Sequence, residues 1–254
     1  MRFRYILVMG TISIIAIWAA AAVIVTTACV YYASYAVRSQ WFGRAVWRGR
    51  TDTGSVALTF DDGPSADTAA LLDTLLEHDL KATFFMVGEH VEKFPQIAQR
   101  IVADGHEIGN HSMSHKILLY CTRRRTESEI NRAQEVITSV TGVAPQIARP
   151  PCGVRTPRYF RTAEILGLST VQWTVAGFDW KTRSAHEIAD AVVRDAEAGS
   201  IVLLHDGDSA GRSSRQATVD AIPLILAGMR KKGLSVVPLR ELLFRAETGR
   251  MGSN

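Results

Sequence analysis

Two adjacent carboxylates close a short apolar run, Val56-Ala57-Leu58-Thr59-Phe60-Asp61-Asp62-Gly63-Pro64, and are the first side chains whose types suggest chemistry. β-Branched and aromatic residues in such a run predict a buried strand, and Gly63-Pro64 ends it at once. Asp61 and Asp62 then stand at a strand's C-terminal end, where the catalytic loops of a β/α barrel gather. Successive residues there point different ways, so the two carboxylates need not share one role. Equally, the pair could simply cap the Gly-Pro bend. A second cluster, His111-Ser112-Met113-Ser114-His115, follows Gly105-His106-Glu107-Ile108-Gly109-Asn110. If that segment is helical, histidines four apart share a face with Cβ atoms about 5–6 Å apart, which suits one metal ion. A carboxylate from the strand end would complete a three-ligand set. Such pairs also arise by chance on solvated helices, and His106 reads as a structural histidine.

The elements that must position these residues alternate along the chain. Ala69 to Leu76 carries a helical leucine stripe, Ala82 to Val87 is a second β-rich run, and Val91 to Ala103 reads as a helix that Gly105 interrupts. Thr126 with Glu129, and Ser184 with Glu187, each fit a capping box opening a helix. Further strands are expected at Val143 to Ala148, Thr170 to Val175, Ile201 to Leu204 and Leu234 to Val237. Repeated β then α predicts an α/β fold with a parallel sheet and helices outside. Because the polar motifs fall at strand ends, closure into a distorted (β/α) barrel is expected over an open sheet.

With 254 residues, 47% of them hydrophobic, the chain can hold an N-terminal segment and one domain with a sizeable core. The net charge of +4 is spread thinly apart from Arg123-Arg124-Arg125, read as a solvated loop, so no nucleic-acid footprint is present. Cys29, Cys121 and Cys152 cannot all pair, and Cys29 lies inside an apolar segment. From Tyr5 to Tyr35 the chain carries no charge, about thirty residues against the ~20 that cross a bilayer. A transmembrane anchor over residues 1–37 follows, with Tyr31, Tyr32, Tyr35 and Trp41 as an interfacial aromatic belt. A cleaved signal peptide, cut near Ala33-Ser34-Tyr35, competes, but its apolar stretch is usually only ~7–15 residues. Arg2 and Arg4 argue for an inside N-terminus while Arg38, Arg44, Arg48 and Arg50 argue the opposite, so charge does not settle orientation. Residues 38–54 read as a juxtamembrane linker, 55–245 as the catalytic domain and 246–254 as a tail.

Together, Thr59-Phe60-Asp61-Asp62-Gly63-Pro64, His111 to His115, Arg149-Pro150-Pro151-Cys152-Gly153, Asp179-Trp180 and Leu203-Leu204-His205 resemble the ordered motifs of the polysaccharide deacetylases. This is the NodB-homology domain, carbohydrate esterase family 4, and the resemblance covers roughly Ser55 to Leu243. It implies a distorted (β/α) barrel, usually of seven strands, and hydrolysis of N-acetyl groups on amino sugars. It also implies one divalent metal, commonly Zn2+ with Co2+, Ni2+ or Mn2+ as alternatives, held by Asp62, His111 and His115. Asp61 matches the general base, His205 the general acid and Arg149 the residue that orients the base. Cys152 matches the backbone donor to the oxyanion, and Trp180 and Leu203 match the acetyl pocket. Two departures stand out. Cys152 replaces an aromatic residue common in the family, which alters the groove wall but not a backbone donor. Ala176 replaces an Asp, leaving Asp179 as the carboxylate available to tune His205.

The implied enzyme is a membrane-anchored deacetylase of a cell-envelope glycan such as peptidoglycan, its catalytic domain extracytoplasmic. A lipid-linked or oligosaccharide amino sugar near the bilayer is an alternative substrate, which the short linker would suit. A catalytically silent carbohydrate-binding module is the alternative from another class. Intact Asp61, Asp62, His111, His115 and His205 speak against it.

Overall fold

The apolar run ending in the aspartate pair is a strand, Ser55–Asp61, buried along its whole length. The computed structural model describes residues 2–181, 183–209, 211 and 213–243, with side chains from Ala16 onward. The expected tail, 246–254, lies outside the described residues. In chain order the helices are α1 (Arg2–Tyr35), α2 (Ala66–Glu77), α3 (Gly88–Lys93), α4 (Pro95–Ala103), α5 (Arg123–Thr141), α6 (Pro157–Ile165), α7 (Ala185–Asp195), α8 (Gln216–Lys231) and α9 (Leu239–Leu243). The strands are β1 (Ala45–Val46), β2 (Ser55–Asp61), β3 (Thr83–Met86), β4 (Glu107–Asn110), β5 (Ile147–Ala148), β6 (Ser169–Val171), β7 (Val175–Ala176), β8 (Ile201–His205) and β9 (Ser235–Val236).

All strand pairs are parallel, in the order β1-β6-β5-β4-β3-β2-β8-β7 with β9 added beside β2. Residues 172–174 join β6 directly to β7, so the sheet curves into a distorted half-barrel whose edge strands β1 and β7 do not pair among the described residues. Period-two alternation along β2 sorts its two faces. Val56, Leu58 and Phe60 pack outward with Leu71, Leu72 and Leu75 of α2 and Ile222 and Ile225 of α8. Ala57, on the inner face, packs with Phe85, Val171, Ile201 and with Leu239 and Leu242 of α9. Each fully buried leucine or isoleucine here is worth roughly 1.5–3 kcal/mol. Asp61 falls on the same inner face as Ala57 and Thr59, which aims its carboxylate into the barrel mouth.

Several expected elements are shorter or divided. The helix expected from Val91 to Ala103 is two, because Pro95 stops α3 at Phe94 and supplies the first turn of α4. Ser184 and Glu187 form their capping box. Thr126 does not open α5: Thr122 does, accepting from the Arg125 N–H, and Thr126 and Glu129 are buried within the helix. The strand expected over Thr170 to Val175 is broken into β6 and β7, and only Ile147–Ala148 of Val143 to Ala148 is extended in a ladder. Residues 38–54 lie along the domain: β1 pairs with β6, the Thr174 hydroxyl donates to Trp47 O (2.7 Å) and the Gly49 N–H to Gly199 O (2.8 Å). From Ala16 to Tyr32 α1 is mostly exposed, and Ala16–Tyr35 is long and apolar enough to cross a membrane.

Candidate active site

Strand register assembles the centre. β2 and β8 pair so that Asp61 is the Cα partner of His205. β4 ends at Asn110, immediately before His111, and β5 ends at Ala148, immediately before Arg149. Apart from Leu203, which lies within β8, the residues proposed for the site sit at, or within a few residues past, the C-terminal end of a strand. Asp61, Asp62, His111, His115, Cys152, Trp180, Leu203 and His205 share a cavity of about 410 Å³ with Trp173 and Arg215. A larger cavity of about 620 Å³ between residues 42–46 and α6 lacks such a carboxylate–imidazole cluster among its lining residues.

Asp62, His111 and His115 offer ligand atoms that all lie within 4.8 Å of one another. Asp62 Oδ1 is 3.1 Å from His115 Nε2 and 3.4 Å from His111 Nε2, and it is buried without a hydrogen-bond partner. His111 Nδ1–H donates to Arg149 O at 2.6 Å, so a neutral His111 turns a lone pair from Nε2 toward that oxygen. Electron pairs converging on one buried point call for a cation, and the set fits a divalent ion bound by two imidazoles and a carboxylate. The electrostatics agree. Burial opposes ionisation of Asp62, yet His111 and His115 hold its carboxyl well below the usual range. Burial, with His111 beside it, pushes His115 down to about 4, keeping it a neutral ligand. At His111 burial is outweighed by Asp61 and Asp62, which favour positive charge at that point.

The histidine pair is not helical. Ser112 (φ 67) and His115 (φ 52) are both left-handed, and the Ser112 N–H donates to Asn110 Oδ1 (2.9 Å) and the His115 N–H to Ser112 Oγ (3.1 Å). A knotted loop, not i,i+4 spacing, thus brings the rings to a 5.0 Å centroid separation. Asp62 is left-handed as well (φ 72), which turns its carboxylate toward the histidines while Asp61 stays on the strand.

Asp61 Oδ1 accepts from Arg149 Nη1 at 2.7 Å, and the same nitrogen donates to Thr59 Oγ1 at 2.8 Å. Arg149 is fully buried, donates also to Gln172 O (2.9 Å) and lies 4.1 Å over the Phe85 ring. Asp61 Oδ2, 3.7 Å from His111 Nε2, is left facing the cation point. Across the cavity, His205 Nδ1–H donates to Asp179 Oδ1 at 2.8 Å, while Asp179 Oδ2 accepts from the His205 N–H (2.7 Å) and the Thr218 hydroxyl (2.9 Å). Burial pushes His205 down, but Asp179 wins and its imidazole is raised to about 9. The Trp180 ring stands edge-on to His205 at 5.4 Å, and Leu203 is buried in the wall. Cys152, at φ 54, sits in a 3₁₀ turn whose neighbouring Gly153 and Val154 N–H groups donate back to Pro150 and Pro151. Its thiol is free, as are those of Cys29 and Cys121. Burial, with Asp62 and Asp61, raises it further from a thiolate.

Sequence reasoning passed over several residues. Asp206 is buried beneath Gly63 and raised to about 7 by burial, with Thr68 Oγ1 donating to it at 2.7 Å. Its position next to His205 was the available signal. Thr218 and Arg215, which donates to Asp179 O (3.3 Å) and Gly207 O (2.6 Å), arrive from the start of α8 with no local motif. His106, read as structural, accepts the Ala82 N–H (3.2 Å) and packs edge-on to Phe84, away from the cluster.

Residues 48–171 match the family model described as polysaccharide deacetylase. The chain is 38% identical over 192 residues to a peptidoglycan-N-acetylglucosamine deacetylase of Bacillus cereus, covering 75% of this chain and 69% of that protein. It is 36% identical over 199 residues to a chitooligosaccharide deacetylase of Bradyrhizobium, covering 75% of this chain and 91% of the other. The crystal structure of a peptidoglycan N-acetylglucosamine deacetylase, complexed with 4-naphthalen-1-yl-N-oxidanyl-benzamide, superposes with a TM-score of 0.73 at 36% identity, over 78% of this chain and 92% of that one.

Proposed function

Because this chain belongs to the polysaccharide deacetylase family, a family of hydrolases acting on an amide C–N bond, we propose that it removes N-acetyl groups from amino sugars of a cell-envelope glycan such as peptidoglycan. The convergence of Asp62 Oδ1 with the two imidazole Nε2 atoms, flanked by Asp61 and His205, carries this assignment. Asp62, His111 and His115 would hold a divalent ion, zinc first among Co2+, Ni2+ and Mn2+, which when bound polarises the acetyl carbonyl and acidifies water.

The chain's own groups divide the proton work. Asp61, with Oδ1 tied to Arg149, takes a proton from the attacking water at Oδ2. The backbone N–H of Cys152 donates to the oxygen that becomes negative as the carbonyl carbon turns tetrahedral. His205, protonated and held through Nδ1 by Asp179, gives its Nε2 proton to the departing amine, so the C–N bond breaks to acetate and a free amino sugar. Trp180 and Leu203 bound the space for the acetyl methyl.

The apolar helix would anchor the enzyme as a single-pass membrane protein with its catalytic domain outside the cytoplasm. Cleavage at Ala33-Ser34-Tyr35 would remove or expose Ser34 O, which accepts the Arg155 N–H, and would leave the Ala36 and Val37 carbonyls that hold the buried Arg155 guanidinium on a frayed chain end. That favours retention. A second substrate reading, an amino sugar carried on a lipid at the bilayer, is favoured by the packing of residues 38–54 along the barrel, which leaves little slack for reach. Full-length protein assayed for acetate release on N-acetylated peptidoglycan, chito-oligosaccharides and a lipid-linked amino sugar decides among these. Release from none of them, with metal bound, would refute the deacetylase assignment and favour the silent binding module.

A further inference from the structure

The loop that carries Cys152 is pinned at both ends. At its start Arg149 holds Asp61, and its carbonyl receives His111 Nδ1–H. At its end stands Arg155, 1% exposed, whose guanidinium donates to Val37 O at 3.1 Å and to Ala36 O, and whose N–H donates to Ser34 O at 3.0 Å. No carboxylate pairs with it among the described residues. Its acceptors are carbonyls at and just past the C-terminal end of α1, Ala36 O also accepting the Ser39 N–H, where the helix dipole favours a cation. Ala33 and Ser34 are buried at this junction, 3% and 0% exposed, in a helix whose described residues before them are mostly exposed. The Tyr35 phenol is hydrogen-bonded to that of Tyr120.

We propose that the end of the anchor helix is a working part of the catalytic centre, and that Arg155 is the positioning residue that transmits its placement to the Cys152 backbone N–H. Among the described residues these carbonyls are the polar partners that the Arg155 guanidinium has. Freed from α1, the guanidinium must swing toward water, and residues 152–155 move with it. A misplacement of about 1 Å at an oxyanion donor costs on the order of 10² in rate. The proposal rests on the deacetylase reading for its kinetic arm and is independent of it for its structural arm.

The experiment uses full-length protein in nanodiscs, in a background carrying Cys29→Ser and Cys121→Ser, so that only Cys152 reacts with a thiol reagent. Arg155→Ala removes the clamp from the domain side. Ala33→Phe wedges the junction from the helix side and leaves every residue of the catalytic domain in place. Each is expected to lower kcat by about 10², leave KM within about threefold and the metal content unchanged, and change the Cys152 alkylation rate. The double variant should be no worse than either single one, since both break the same link. Guanidinium ion should restore part of the kcat of Arg155→Ala, an effect that a misfolded domain would not show. An Ala33→Phe protein with parental kcat and alkylation rate overturns the proposal, as does a double variant whose losses multiply. Alkylation that responds as expected in a protein releasing no acetate from any glycan refutes the deacetylase reading and leaves the coupling standing.

Discussion

Asp179→Asn isolates what the Asp179 carboxylate does for His205, because asparagine keeps the shape and an oxygen acceptor but loses the charge. Burial alone would lower the imidazole, yet Asp179 above all, with Asp62 and Asp61, lifts it from 6.5 to about 9. At 1.36 kcal/mol for each pH unit, that interval corresponds to about 3 kcal/mol in favour of the protonated ring. With the charge gone, the ring should titrate at or below 6.5, so at pH 7.5 the protonated acid falls from about 97% to about 10% of molecules. We therefore expect kcat/KM at pH 7.5 to fall at least about tenfold and the alkaline limb of the pH profile to move down by about two and a half units. Every other charge is common to both proteins, so the difference between the profiles is the readout. The sign for stability is the same. A raised folded-state value stabilises fully below the unfolded value near 6.5 and loses that contribution as pH climbs through about 9. The stability gap between parent and variant should thus be widest near pH 6 and narrow by pH 9.5 in urea titrations. An alkaline limb that stays in place, with activity reduced equally at every pH, would mean Asp179 only shapes the loop.

Three further outcomes follow from the geometry. Asp61→Asn should cost about 10² to 10⁴ in kcat while metal analysis shows the ion still bound, whereas Asp62→Asn or His111→Ala should lose the ion; equal metal loss in both aspartate variants would erase the division of labour. Arg149→Met should destabilise the fold by about 3–5 kcal/mol, since it leaves the buried Asp61 unpaired, and Arg149→Lys should rescue little because one ammonium cannot serve Thr59, Asp61 and Gln172 together; denaturant midpoints measure both. Cys152→Ala should keep kcat within about threefold, because a backbone donor survives the change; a loss as large as that of Asp61→Asn in folded, metal-loaded protein would point to a thiol nucleophile.

How far the sequence carried depended on the range of the forces involved. β2, β3 and β8 are continuous apolar runs with turn residues behind them, so their place at the centre of a parallel sheet was legible. β5, β6 and β7 were blurred because strands of two or three residues are shorter than any period they could display. The α3–α4 break was readable from Pro95, and the expectation of one helix there ignored it. Thr126 and Glu129 imitate a capping box, but Glu129 is instead spent on Ser114, whose N–H and hydroxyl it accepts at 2.8 Å each. That bond steadies the His111–His115 loop from a helix fifteen residues away, which no local pattern encodes. Thr218 and Arg215 escaped for the same reason: their bonds to Asp179 exist only after α8 has packed.

Backbone strain explains why motif recognition succeeded where propensity could not. Among the described residues, six non-glycines have positive φ: Asp62, Asp79, Ser112, His115, Cys152 and Phe178. Five of them stand in the loops of the catalytic face, and Asp79 alone lies in the exposed turn after α2. A left-handed residue costs roughly 1–2 kcal/mol, less for aspartate, so the five together approach the 5–15 kcal/mol net stability of a whole domain. Such a cost persists only where surrounding bonds over-determine the conformation. They do so here: His90 Nδ1–H holds Asp62 O at 2.6 Å, Asn110 Oδ1 holds the Ser112 N–H, and Ser112 Oγ holds the His115 N–H. Glycine would satisfy each backbone position without strain but would carry no carboxylate or imidazole to the cation point. At Asp62 and His115 the side chain is what the strain secures. At Cys152 the proposed oxyanion role needs only the backbone, and the direction of its N–H is what we propose Arg149 and Arg155 secure from opposite ends of the loop.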